Sequence, residues 1–236
     1  MTALFAELAS ESTPMGVISL RRRREPTRNV DVYEVKLDDD FLMSSLFTVA
    51  EIELARLGLA ACEADACDVV VGGLGLGYTA IAALADTRVR SLAVIEALPQ
   101  VIAWHEQGLL PDAGALTTDP RARLVPGDFF ARLAAGEDLD PGAPGRRFDA
   151  ILVDIDHSPT HVLHPSHRSF YRPEGLEQLS TYLQSGGVFA LWSDDPPDDA
   201  FVATLGRVFD DAQAHVVTFP NFLTGSTSAN TVYVAR

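Results

Sequence analysis

The sequence predicts an open α/β fold, a seven-stranded and mostly parallel Rossmann-like sheet preceded by a small N-terminal β-hairpin unit. Three observations carry this expectation. From Val69 onward, short β-branched runs alternate with helical stretches, the pattern of a parallel sheet covered on both faces. The first of these runs, Val69-Val70-Val71, passes into a turn in which Gly73, Gly75 and Gly77 alternate. The last two strand-like runs, at 215–219 and 231–235, are joined by a stretch without helical spacing. They therefore close one end of the sheet as an antiparallel hairpin.

The elements follow in order. Residues 16–24 and 31–37 are strand-like and separated by the breakers Pro26 and Asn29, which reads as a hairpin. This sets a unit at 1–45 apart from a Rossmann-like domain at 46–236. The run Arg21 to Arg24 sits in a strand pattern, so alternate arginines point to opposite faces. It reads as a solvated edge strand kept from aggregating by its charge. Residues 46–59 have helical apolar spacing, with Glu51, Glu53 and Arg56 on the polar side. Strand 69–71 leads to a helix at 79–84, and strand 91–95 to a helix at 99–108. Strand 123–125 reaches Asp128 and a helix at 129–135. After a Gly/Pro-rich loop at 140–145, strand 148–153 ends at Asp154. A helix at 173–183 precedes Gly186-Gly187 and a strand at 188–192, and a helix at 198–212 leads to the final pair.

Bulk properties narrow the function. The chain has 236 residues, 47% of them hydrophobic and 22% charged, as expected of a globular protein. No apolar run approaches the roughly 18 residues of a membrane span, and Met1 to Leu8 is too short and acidic for a signal peptide. The expectation is a cytoplasmic protein with no membrane partner. Cys62 and Cys67 are the only cysteines, too few for a zinc site. A net charge of −15 argues against nucleic acid and suits a cationic small molecule.

In open α/β sheets ligands sit at the carboxyl ends of the strands. A glycine at every second position lets the backbone of Gly73, Gly75 and Gly77 lie close against a ligand. Nineteen residues after Gly77 the second strand ends in Glu96, where a carboxylate takes up two ribose hydroxyls. Asp128 and Phe129 offer a carboxylate and an aromatic face for an adenine. The next strand ends carry Asp154 with Asp156 and His157, then Ser193 with Asp194 and Asp195. Carboxylates also cap helices. That second reading fits Asp194 and Asp195, which precede Pro196-Pro197 and a helix, better than it fits Glu96.

From about Gly16 to the C-terminus the chain resembles the spermidine synthase (polyamine aminopropyltransferase) family. That family places a small β unit before a domain of the class I S-adenosylmethionine methyltransferase type. The matching pieces are Gly72-Gly73-Leu74-Gly75, Glu96, Gly127-Asp128, the run Phe148 to Asp154, Phe170-Tyr171 and Gly186-Gly187. The resemblance implies S-adenosylmethionine or its decarboxylated form as co-substrate, aminopropyl transfer to a small amine, and a homodimer. Glu96 would hold the ribose, Asp128 the adenine amino group, and Asp154 would be the base that frees an attacking amine. The carboxylates of Asp154, Asp156, Asp194 and Asp195, with His157, suit a cationic acceptor. Where the family continues Ser-Ser-Asp-Pro after its first aspartate, this chain has Ile155-Asp156-His157-Ser158-Pro159. The family's Tyr-His-Glu after an acidic-Phe pair is replaced by Leu42-Met43-Ser44-Ser45 behind Asp40-Phe41.

Two other readings stay open. Catechol-type O-methyltransferases bind Mg²⁺ through one aspartate after the fourth strand and an Asp-Asn pair after the fifth, and Asp154 with Asp194-Asp195 stand at comparable places. A non-catalytic nucleoside-binding protein would keep the fold and lose the acceptor site. His157, His161, His164 and His167 fall within eleven residues. Pro159 and Pro165 break any helix there, so this stretch reads as a polar lid over the site, with His157 in the pocket and no metal.

Overall fold

The computed structural model describes residues 4–13 and 15–236. Residues 1–3 and Pro14 of the expected 1–45 unit lie outside the described residues.

The N-terminal region is a four-stranded antiparallel sheet, not the two-stranded hairpin that the sequence suggested. Strands β1 (Phe5–Thr13), β2 (Gly16–Glu25), β3 (Val30–Leu37) and β4 (Asp40–Ser44) pair in sequence order. β1 is mostly polar and half-exposed, so it lacks the alternation that marks a strand in sequence. Its presence makes β2 an interior strand, and the arginine run is not an edge. The flanking strands answer it with acids: Arg21 lies opposite Glu7 and Glu34, and Arg24 opposite Asp31. Arg23 Nε donates to Glu34 Oε1 at 2.6 Å.

The second sheet has seven strands in the order β10-β11-β9-β8-β5-β6-β7. These are β5 (Cys67–Gly72), β6 (Val89–Glu96), β7 (Ala122–Pro126), β8 (Phe148–Val153), β9 (Leu183–Ser193), β10 (Ala212–Asn221) and β11 (Ser226–Ala235). β7, β6, β5, β8 and β9 are parallel neighbours, and β11 runs antiparallel between β9 and β10. This is the expected sheet with its one reversed strand.

Every residue of β5 is buried, because helices cover both faces of a parallel sheet. Val69 and Val71 pack on one face with Leu54 and Ala55 of α1 (Val49–Ala61) and Ala83 of α2 (Tyr78–Leu84). Val70 packs on the other with Phe129 and Leu133 of α5 (Phe129–Ala135). Burying each such side chain contributes roughly 1.5–3 kcal/mol. Ile18, Leu20 and Val35 of the first sheet join the α1 face, which fixes the small sheet over the strand tips. α3 (Pro99–Glu106) and α4 (Ala113–Thr117) lie between β6 and β7 in the chain, and α6 (Pro173–Ser180) and α7 (Asp199–Leu205) flank β9.

The helices expected over 173–183 and 198–212 stop at Ser180 and Leu205. Strand pairing takes over their tails: Leu183 pairs with Phe148, and Ala212 with Ala235. Among the described residues no helix is long and apolar enough to cross a membrane. The chain winds outward from β5 to β7 and returns to β8, so the order reverses between β5 and β8. The cleft opens there, above the carboxyl ends of the strands.

Candidate active site

The glycine turn forms the floor of the cleft. Gly73, Gly75 and Gly77 have φ of 93°, 48° and 91°, the left-handed region. A Cβ on Gly73 would lie 2.1 Å from the carbonyl oxygen of Asp154. The first glycine thus lets the loop after β5 touch the loop after β8. His105, buried on α3, donates its Nε2 proton to the Gly75 carbonyl at 2.9 Å and pins the middle of the turn. Burial lowers its pKa against the opposing Gly75 bond, which favours the neutral ring.

Glu96 ends β6 with both oxygens engaged by backbone. Oε2 accepts from Leu74 N at 3.0 Å and Gly75 N at 3.4 Å, and Oε1 accepts from Leu98 N at 2.8 Å. Burial raises its pKa against these amides. Asp128 caps α5, its Oδ1 accepting from Ala131 N at 3.0 Å. The helix-capping reading therefore holds for Asp128, although the residue also lines the cleft. Phe129 beside it is buried, edge-on to Phe130 and Phe170.

Two cavities meet in this cleft. The first, about 670 Å³, is bounded by Gly73, Gly75, Glu96, Asp128, Phe129 and the 157–167 stretch. The second, about 710 Å³, lies toward the N-terminal sheet and the β10–β11 hairpin, with Glu34, Glu51, Gly77, Trp192 and Asp194 in its wall. Phe41, Leu42 and Met43 of β4, together with Gly75, Asp154, Ile155, His157 and Leu163, border both. Asp154 and His157 therefore stand at the junction.

Asp154 Oδ2 accepts the Thr79 hydroxyl at 2.6 Å. Burial raises its pKa to about 6, with the Thr79 bond opposing. Glu51, in the first turn of α1, is pushed up to about 8 by burial and by the charges of Asp154 and Asp194. Sequence reasoning missed Glu51 and placed it on the solvated face of its helix. The available signal was its position: a helix entering beside the glycine turn brings its first-turn carboxylate to the strand tips. Glu34, in β3, was missed as well.

Two of the expected acceptor residues fall outside both cavities. Asp156 is 1% exposed and turned to the protein interior, its oxygens accepting from Leu163 N at 2.7 Å, His167 Nδ1 at 2.8 Å and the Tyr171 hydroxyl at 2.8 Å. It anchors the segment after β8 and presents nothing to a ligand. Asp195 borders neither cavity. Asp194 does, with Oδ1 accepting from Asn230 at 2.7 Å. The cap of α7 is Asp198, not Asp194 or Asp195. The histidine stretch covers the first cavity: His157, His161, His164 and His167 all border it. His167 stacks on Phe130 with ring centroids 4.2 Å apart. Among the described residues no three His, Cys, Asp or Glu side chains are arranged to hold a metal ion.

No family model matches the chain. A polyamine aminopropyltransferase of Corynebacterium efficiens is 36% identical over 87 residues, which make up 37% of this chain and 15% of that protein. The matched segment is thus a small part of the relative's own length. Spermidine synthase from Thermotoga maritima superposes with a TM-score of 0.72 at 17% identity, over 97% of this chain and 72% of that one. A spermidine synthase in complex with the transition-state analogue AdoDATO gives 0.71 at 17% identity, over 97% and 71%. Human methyltransferase-like protein 13 in complex with SAH gives 0.54 at 18% identity, over 80% and 79%. The resemblance to spermidine synthase, and with it the class I methyltransferase type of sheet, is borne out in the fold and in that segment.

Proposed function

We propose that this chain is a transferase that moves an aminopropyl group from decarboxylated S-adenosylmethionine to a small amine. One observation carries the reading: two cavities of suitable size share a wall at Asp154, whose carboxyl has a pKa near 6. A pocket of several hundred Å³ takes a nucleoside, and the cavity holding Glu96 has the apolar lining and convergent carboxylates that a nucleoside needs. The spermidine synthase bound to AdoDATO, with the same fold, supports a donor of this kind.

Each residue then has a physical task. Glu96 accepts three backbone N–H bonds and keeps one lone-pair site, on Oε1, for a ribose hydroxyl. Asp128 spends Oδ1 on the α5 cap and has Oδ2 for the adenine amino group. Phe129 and Phe130 give the base an apolar wall. An alkylammonium with a pKa near 10 must lose a proton before it can attack. Asp154 accepts that proton. The freed nitrogen lone pair then bonds to the carbon next to the sulfonium, and the C–S electron pair stays on sulfur as a neutral thioether. The protein contributes alignment and exclusion of water. Glu51, protonated at neutral pH, spares Asp154 a second buried negative charge.

Methyl transfer uses the same donor cavity and is the second reading, favoured by the likeness in fold to methyltransferase-like protein 13. The test is calorimetry with methylthioadenosine, decarboxylated S-adenosylmethionine and S-adenosylmethionine, followed by release of methylthioadenosine from the decarboxylated donor with a panel of amines. Binding of methylthioadenosine, and turnover that Asp154→Asn abolishes without losing that binding, is the expected result. If no nucleoside binds, both enzyme readings fail. Transfer of a methyl group from S-adenosylmethionine would select the second.

A further inference from the structure

The second cavity restricts the acceptor more than its acidity suggests. Its carboxylates are of two kinds. Asp154 and Asp194 both act electrostatically on Glu51, and Asp154 stands at the junction with the donor cavity. Glu34 stands apart on β3, almost fully buried, and is neutralised by Arg23 at 2.6 Å. Both members of this ion pair line the cavity. A second ammonium reaching that wall would meet a guanidinium, and like charges in a partly buried site repel.

Two amides elsewhere on this wall are already engaged, and two phenyl rings face it. Asn221 donates to Ser228 at 2.9 Å, and Asn230 donates to Asp194 at 2.7 Å. Phe47 and Phe219 pack 5.5 Å apart between their ring centroids and both line the cavity. Phe222 backs Phe47 at 5.5 Å, with the Arg28 guanidinium over its ring. Beyond Asp194, whose only side-chain partner is the Asn230 amide, the wall therefore offers aromatic faces and no uncompensated negative charge.

We infer that the acceptor is a monoamine with one cationic end and an apolar or aromatic body, not a linear diamine. The inference rests on the transferase reading above. The ammonium would enter the Asp154–Glu51 end, where it loses its proton, and the body would lie against Phe47 and Phe219. Burying an aryl group there favours such a substrate, whereas a diamine whose far charge reached past Asp194 would place it against Arg23 or leave it desolvated.

The test is calorimetric titration of phenethylamine and putrescine into the full chain, each with and without methylthioadenosine. Phenethylamine is expected to bind at least about tenfold more tightly. Equal or tighter binding of putrescine overturns the inference, and so does failure of both amines to bind. Arg23→Gln frees the Glu34 charge and should bring putrescine at least about threefold closer to phenethylamine. Phe47→Ala should weaken phenethylamine about tenfold and leave putrescine unchanged. An unchanged preference in both variants also overturns it. Neither residue lines the donor cavity, so loss of methylthioadenosine binding in the unaltered protein would instead count against the transferase reading.

Discussion

The Thr79 hydroxyl donates to Asp154 Oδ2 over 2.6 Å and so ties α2, which follows the glycine turn, to the tip of β8. The bond favours the carboxylate, while burial favours the acid and sets the pKa near 6. Thr79→Val removes the only one of these two effects that opposes burial. The acid limb of the pH–rate profile, with its midpoint near pH 6, is expected to move to higher pH. The rate at neutral pH should fall by about tenfold or less. Asp154→Asn, with no base at all, should lose about 10²–10⁴-fold. Initial rates from pH 5 to 9 read both effects. An acid limb that stays put in Thr79→Val would show that Asp154 is not the titrating group.

Glu51 makes a prediction about stability. Its folded pKa of about 8 lies above the ordinary value of 4.5. Between those values the folded chain holds a proton that the unfolded chain has released, so stability falls as pH rises. The contribution is complete below about pH 4.5 and is lost as pH climbs through 8. Glu51→Gln keeps the shape and removes the titration. Its melting temperature should exceed that of the parent by about 2 °C or more at pH 9, and the two should converge at pH 5. Melting curves at the two pH values suffice. A gap of the same size at both would mean that Glu51 is not held protonated by the fold.

The sheet and the meeting of the glycine turn, Glu96 and Asp154 in one cleft were legible because both rest on local rules. A β-branched run followed by alternating glycines has few alternatives, and Glu96 and Asp154 were placed by strands whose ends were visible. Asp156 was misplaced because strand parity stops at Val153, where β8 ends. Beyond it the chain curls, and a carboxylate two residues from Asp154 turns into the protein to meet Tyr171 and His167. Glu51 and Glu34 were invisible for a related reason. Each looks like an ordinary polar residue on its own element, and only the seating of the small sheet and α1 over the strand tips brings them to the cleft. β1 escaped notice because its partners, not its own hydrophobic pattern, make it a strand.

The glycine turn separates two costs that sequence alone would treat alike. Gly73 combines φ of 93° with a backbone obstacle, the Asp154 carbonyl, 2.1 Å from where a Cβ would stand. Gly75 has φ of 48° and meets only the Met43 sulfur at 2.9 Å, the end of a flexible side chain. Gly73→Ala should therefore lose about 2 kcal/mol or more of stability and disrupt the junction at Asp154, whereas Gly75→Ala should cost about 1 kcal/mol. Denaturant melts of the two variants provide the comparison. Equal losses would show that the approach of the two loops at Asp154 is not as tight as the contact implies.

Asp156 supplies the last test, because its role is separable from chemistry. It is buried with three donors on it, and it holds the 157–171 segment that borders the cavity of Glu96. Asp156→Ala strands the buried Tyr171 hydroxyl and His167 Nδ1, each without a partner, and releases the Leu163 amide. Leaving such groups unpaired costs about 2–5 kcal/mol in all, and the segment should give way before the sheet does. Arg168 is exposed within it and serves as a reporter. Trypsin should cut there faster in Asp156→Ala than in the parent, and methylthioadenosine should slow the cut by drawing the segment back against the cavity. Its affinity should fall about tenfold, the share of binding that the segment contributes. Cleavage at the parental rate would mean that the segment is held by its packing on Phe130 and Phe170 and that Asp156 is not its anchor.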